Sequence, residues 1–298
     1  MLLAFASAAP SAGAQEGGVG VFNGPTLPQD IGRVSLSYRY DQRGHVYRRS
    51  SQTRDPHDTL LNKHIAVAGF DYGVLPDLTL SVLVPVEYNR LSTSPLSGST
   101  VLRSYGLGDA AILGKYRVLK IDWTQSAFNL SVVGGLEFPT GESREREGGA
   151  LLPGSIQVGS GSWNPFLAVS STISIGRVRV DGRVFGKLNT KGRGDVDRGD
   201  ELSANLAVKY RYWHEKYPGP TGSVVLGVSW NYQGRATEDG HQVSNSGHTI
   251  VFLSPAIGFH PIPRMDLGLT VDVPIYQRYH GTQLGRDFRV TVAGGFRF

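Results

Sequence analysis

Polar and apolar residues alternate with a period of two along most of the chain, and no stretch sustains the period of a helix. The alternation predicts twelve strands, over residues 32–40, 62–74, 78–90, 105–118, 126–138, 163–175, 177–189, 201–213, 221–233, 247–259, 265–277 and 286–298. In the last of them Phe288, Val290, Val292, Gly294, Phe296 and Phe298 share one face, and Asp287, Arg289, Thr291, Ala293, Gly295 and Arg297 share the other. In the seventh, Val178, Val180, Gly182, Val184 and Leu188 oppose Arg179, Asp181, Arg183, Phe185 and Lys187. In the third, Leu78, Leu80, Val82, Val84, Val86 and Tyr88 oppose Thr79, Ser81, Glu87 and Asn89.

The connections sort by length. Links after the even-numbered strands are short: 75–77, the stretch around 121–122, Gly176, the stretch around 217–220, and 260–264. Most links after odd-numbered strands are longer and polar: 41–61, 91–104, 139–162, 190–200, 234–246 and 278–285. Short turns at one end and long loops at the other predict a transmembrane antiparallel up-and-down β-barrel of about twelve strands, with both termini on the periplasmic side. A soluble sandwich has no reason to segregate loop length in this way. Tyr38, Tyr40, Tyr72, Tyr88, Tyr116, Phe138, Tyr210, Tyr212, Trp230, Tyr232 and Phe259 fall near strand ends, as interfacial girdles require. The outward series closing on Phe296 and Phe298 is similar to the C-terminal signal by which outer-membrane barrels are recognised by the barrel-assembly machinery.

Composition narrows the choice further. The 298 residues include 39 Gly and no Cys, which removes disulfides, thiolate metal sites, Cys nucleophiles and thioether-linked haem. A mean hydropathy of -0.18 and the lack of a long apolar run exclude a bundle of membrane helices. Residues 1–14 read as the apolar core and small-residue end of a secretory signal, although the basic start of such a signal is missing. Residues 15–31 then form a periplasmic N-terminal segment, and 32–298 the barrel.

Three runs carry a family resemblance. Tyr105-Gly-Leu-Gly-Asp109 opens a strand that continues to Lys115-Tyr116-Arg117; Gly135-Leu-Glu-Phe-Pro-Thr-Gly141 closes the next strand; Asp272-Val-Pro-Ile-Tyr276 lies near the end. These runs resemble the outer-membrane barrel transporters grouped under the MetA pathway of phenol degradation. The resemblance implies a passive outer-membrane channel for small organic solutes, aromatic or otherwise hydrophobic, and it carries over no residue-level binding site.

If the apolar faces meet lipid, the opposite faces line the lumen. That assignment places eleven cations inside (Arg33, Arg39, Lys115, Arg117, Arg179, Arg183, Lys187, Lys209, Arg211, Arg289 and Arg297) with six anions (Glu87, Asp109, Glu137, Asp181, Asp266 and Asp272). An excess of five positive charges favours anionic solutes. The same residues also suit a structural ladder of ion pairs, and Asp181 between Arg179 and Arg183 fits that reading equally well. Asp109 is either a solute or cation contact or a carboxylate that pairs with an Arg or caps a tight turn; the second is the simpler reading. Eight strands give an interior just filled by side chains and sixteen to eighteen leave an aqueous channel. Twelve lie between, so the pore is expected to be narrow, or closed by a loop or by residues 15–31.

Catalytic and cofactor chemistry is not called for. His241-Gln-Val-Ser244-Asn245 is superficially like the His, Ser and Asn of an outer-membrane phospholipase, but a spacing of three puts His241 and Ser244 on opposite faces of a strand. No zinc-ligand spacing, P-loop or dinucleotide fingerprint occurs. His45, His57, Asp55 and Asp58 share the first long loop, where a solvated polar loop is the simpler reading than a weak metal site. Gly192, Gly194, Asp195, Asp197 and Asp200 are loosely like a calcium loop without its order or terminal Glu. The run 142–147 reads as a solvated loop able to touch lipopolysaccharide phosphates or divalent ions. Cations alternate with apolar residues rather than forming a stripe, which argues against nucleic acid as a partner. The partners expected are outer-membrane lipid and lipopolysaccharide, the assembly machinery and a small solute. A barrel acting as sheath or anchor for a periplasmic or surface protein, such as an electron-transfer protein, is the alternative, and an outer-membrane hydrolase is a distant third.

Overall fold

The computed structural model describes residues 23–94, 100–192 and 196–298. Residues 1–14, predicted above to be a secretory signal, residues 15–22, and Gly194 and Asp195 of the calcium-like loop therefore lie outside the described residues. Thirteen strands form one antiparallel sheet: β1 (Gly32–Arg43), β2 (Leu60–Leu75), β3 (Leu78–Thr93), β4 (Thr100–Leu107), β5 (Ala111–Asp122), β6 (Ser126–Glu137), β7 (Asn164–Ile175), β8 (Val178–Lys187), β9 (Glu201–His214), β10 (Thr221–Gln233), β11 (His248–His260), β12 (Met265–Tyr279) and β13 (Phe288–Arg297). β1 pairs with β2 on one side and with β13 on the other, from Arg33↔Arg297 to Gln42↔Phe288, so the sheet closes on itself. Closure leaves almost no free edge, and that is what lets strands cross a membrane with their backbone groups satisfied.

The wall has one interruption. The predicted fourth strand is two strands, β4 and β5, separated by Gly108–Ala110. Both pair with β3, β4 along Val86–Thr93 and β5 along Leu78–Leu83. Only β5 goes on to pair with β6. The far edge of β4 is covered instead by the loop over 138–163: the Glu147 carboxylate accepts the Arg103 N–H at 3.1 Å, and the Glu145 carboxylate accepts the Tyr105 N–H. Charged side chains on an exposed edge are a recognised way to block further strand pairing.

Outward positions are apolar and exposed, as Leu36 (61%), Leu226 (54%) and Val292 (51%) illustrate, while the alternate positions are buried. Aromatic residues form two belts. Near the short turns lie Tyr72, Tyr116, Phe298 and the stacked pair Trp213–Phe259; near the long loops lie Tyr38, Tyr40, His64, Tyr88, Tyr105 and the stacked pair Trp230–Tyr232. An apolar band between two aromatic belts is the signature of a transmembrane barrel.

Candidate functional site

The interior gathers most of the buried polar side chains among the described residues, and chain segments fill it from both ends. From the short-turn end, residues 23–31 run up inside the wall before turning into β1. The Asp30 N–H donates to the Gly73 carbonyl at 2.8 Å, and the Leu27 N–H donates to Thr79 Oγ1 at 2.9 Å. Deeper in, Gly24 N–H donates to Thr172 Oγ1 at 3.0 Å, and Ser131 Oγ donates to the Gly24 carbonyl. Lys115 Nζ gathers the Asn23 carbonyl and side chain at 3.2 Å each and the Pro25 carbonyl at 2.6 Å. Only glycine fits at 24, because a Cβ there would sit 2.6 Å from the Asn129 carbonyl oxygen and 2.8 Å from the Thr172 nitrogen.

From the other end, the loop over 138–163 folds inward. Leu152, Ile156 and Val158 are buried, the first two in a cluster with Leu61 of β2 and Leu284. The Ile156 carbonyl accepts from Asn89 Nδ2 at 3.2 Å and from Ser104 Oγ. Asp109, in the break between β4 and β5, fastens the neck of this loop by accepting the Gly141 N–H at 2.9 Å and the Ser160 N–H at 2.6 Å. Two glycines meet there: a Cβ on Gly159 would lie 2.3 Å from the Gly141 carbonyl oxygen. The loop's tip, Gly148–Gly149, turns with φ of 59° and 84° in open space. Asp109→Ala strands two backbone donors, and the expected cost is ~1–3 kcal/mol for each one left unsatisfied. Limited trypsin digestion of the folded barrel is the check. Faster cutting at the exposed Arg144 and Arg146 is expected, and unchanged cutting contradicts the latch role of Asp109.

The sequence-predicted residues fall into several groups. Arg33 pairs with Asp71 at 2.7 Å, Arg179 with Asp181 at 2.7 Å, and Arg289 with Asp272 at 3.1 Å. Arg289 also lies over the Phe252 ring at 4.1 Å. Lys187 sits between Glu137 at 3.6 Å and Glu201 at 3.3 Å. Arg39 lies among Asp41, Glu87, Asp272 and Arg289, and Glu87 faces Lys63. Arg183 is buried, and Lys209 and Asp266 neighbour one another. Arg117, Arg211 and Arg297 are set at the short-turn rim rather than deep inside: Arg117 binds the turn residue Asp77 at 2.5 Å, Arg211 is exposed, and Arg297 approaches Asp266 at 3.8 Å. Phe296 and Phe298 face outward and are exposed.

Several interior charges escaped the sequence reading: Asp41 and Arg43 of β1, Lys63 and Asp71 of β2, Glu201 of β9, and Arg198 and Arg286 of the loops. β1 runs three residues beyond its predicted end, which brings Asp41 and Arg43 into the wall. In β2 the inward face mixes Leu61, Ile65 and Val67 with Lys63 and Asp71, while Asn62 and His64 face outward, so the alternation there blurs. Glu87, Asp109, Glu137, Ser160, Lys187 and Arg198 surround a small polar cavity beneath the inward loop.

The loop residues weighed for metal or catalysis have structural partners. His45 Nδ1 is 2.6 Å from Asp287 Oδ1. Asp55 accepts the N–H groups of His57 and Thr59 at 3.0 and 2.5 Å; burial alone raises its pKa, but these bonds outweigh it and hold the carboxyl below the ordinary range. Burial, and then the nearby Glu142, push the Glu145 carboxyl up from its ordinary value. Asn245 Oδ1 accepts the Thr282 N–H at 3.0 Å, and His241 lies in a short surface ladder opposite Glu238.

Comparison with known proteins places this architecture. The family model described as "Putative MetA-pathway of phenol degradation" matches residues 48–290, most of the chain. The chain belongs to that family. Among solved structures, an outer-membrane channel from Pseudomonas putida F1 is 16% identical with a TM-score of 0.68, covering 92% of this chain and 98% of that one. The translocator domain of the autotransporter NalP from Neisseria meningitidis is 10% identical at a TM-score of 0.47, covering 91% of this chain and 90% of that one. The β-domain of the Bordetella autotransporter BrkA is 8% identical at 0.46, covering 91% and 100%. A search of curated proteins finds no match. The MetA-pathway family member described here is thus a transmembrane β-barrel of the outer-membrane type, with an interior stoppered by its own chain.

Proposed function

We propose that the protein is a passive outer-membrane channel for small organic solutes, aromatic or anionic, held in a closed state by residues 23–27 and the loop over 138–163. The observation that carries this reading is the presence of an extended stretch of main chain inside the wall. A bore that admits a peptide backbone admits a small organic molecule once the segment withdraws. The chain's family and the channel from Pseudomonas putida F1 support the same reading. The long loops lie outside the cell and both termini in the periplasm, since outer-membrane barrels keep their short turns on the periplasmic side. Residues 1–14 serve export, and the exposed C-terminal Phe296 and Phe298 serve recognition by the assembly machinery. No chemical step is involved.

The inward-facing residues found in the strands add two cations and three anions to the sequence count, so the wall keeps a positive excess of four. Such a wall favours anions. Planar-bilayer recording under a salt gradient tests this: an unstoppered barrel is expected to prefer chloride over potassium, and Arg179→Glu with Arg183→Glu to weaken that preference. Equal selectivity in both overturns the role of the wall charge. The filled interior also favours a second reading, a barrel that anchors a periplasmic or surface protein. Silence from a folded chain that lacks both residues 23–27 and the inward loop, together with co-purification of a second protein, supports it.

A further inference from the structure

On the outer face near the long loops, strand register stacks two tiers of side chains. One tier is aromatic: Tyr40↔His64, His64↔Tyr88 and Tyr88↔Tyr105 are successive cross-strand partners from β1 to β4. Two residues further towards the loops, the next tier is Gln42↔Asn62, Asn62↔Arg90 and Arg90↔Arg103. Arg90 and Arg103 are thus directly opposite each other and both are exposed. Among the described residues neither guanidinium has a hydrogen bond or an ion pair; only the Arg103 backbone N–H is engaged, by Glu147. Like charges placed directly opposite on neighbouring strands are unfavourable unless something neutralises them.

We propose that Arg90 and Arg103, flanked by Asn62 and Gln42, form a clamp for a phosphate of the lipopolysaccharide headgroup. The tier sits one step beyond the aromatic belt, which is the depth of lipid phosphates once the belt marks the interface. Two guanidinium forks facing one spot match a phosphate bidentately, while the neighbouring amides serve the sugar hydroxyls. Tyr88 and Tyr105 beneath offer ring surface to the first acyl carbons. The choice of lipopolysaccharide over a phospholipid rests on the proposed orientation, with the long loops outside.

The test is native mass spectrometry of the full folded barrel titrated with bisphosphorylated lipid A. Arg90→Gln with Arg103→Gln is expected to weaken binding by about tenfold or more, whereas Arg278→Gln, a lone arginine at the same end, leaves it unchanged. Each single substitution, scored on protein shown folded by heat-modifiable gel mobility, is expected to fall between. Equal binding by the double variant, or equal binding of dephosphorylated lipid A by the native protein, overturns the clamp. A preference for phosphatidylglycerol overturns the choice of lipid. Orientation is read separately, since Ser51→Cys introduces the chain's only thiol and whole-cell maleimide labelling reports its side. Failure to label overturns the outside placement of the loops without touching the phosphate result.

Discussion

Removing the segment that ends at Leu27 is expected to raise single-channel conductance severalfold. Residues 23–27 are held mainly by hydrogen bonds to Thr79, Lys115, Ser131 and Thr172 rather than by buried apolar surface. Each such bond contributes only ~0.5–1.5 kcal/mol net, so the segment is a removable stopper and the closed wall does not depend on it. A chain beginning at Pro28 keeps the Asp30–Gly73 and Ile31–Gly73 backbone bonds that start β1. Gly24→Ala reaches the same end without truncation, because the new methyl collides with main-chain atoms of β6 and β7 that cannot yield. It is expected to produce open bursts in a planar bilayer. Unchanged conductance in both variants means that the inward loop alone sets the barrier.

Lys187→Met is expected to destabilise the barrel by ~3–5 kcal/mol, the range for removing one partner of a buried charge cluster. The ammonium is 4% exposed and separates two carboxylates, Glu137 and Glu201, which then face each other in a site water hardly reaches. Asn164 Nδ2 on Glu137 at 2.8 Å and Asn189 Nδ2 on Glu201 at 3.3 Å do not supply the missing charge. Adding Glu137→Gln and Glu201→Gln to Lys187→Met is expected to restore much of the loss, because repulsion causes it. Urea unfolding followed by tryptophan fluorescence measures both. A single variant as stable as the native chain contradicts the structural role of the cluster.

The wall was legible because its two faces meet different solvents. β3, β8 and β13 alternate cleanly and match the predicted spans to within three residues at either end. β2 was found but its charges were not, since the inward loop presents Leu152 and Ile156 to its upper part and Leu61 answers them. The break in the fourth strand had a local signal in Gly106 and Gly108, though not the separate pairing of β4. The interior was harder to read. Asn23–Leu27 has no periodicity, as a single strand of chain held by scattered hydroxyls needs none. The inward loop did leave a trace, the apolar residues Leu151, Leu152, Ile156 and Val158 after the polar run 142–147, of which all but Leu151 turn inward. Asp109 was legible as a turn cap but not as the latch that joins Gly141 to Ser160 across the neck of the inward loop.

The necked loop has a practical consequence. Asp109 and the Gly141–Gly159 crossing fasten its base, while side chains added at Gly148 and Gly149 would meet only open space. Peptide grafted between those two glycines would hang from a fixed base without disturbing what lies below. The base of this loop is therefore a fixed mount on which inserted sequence can vary without cost to the wall.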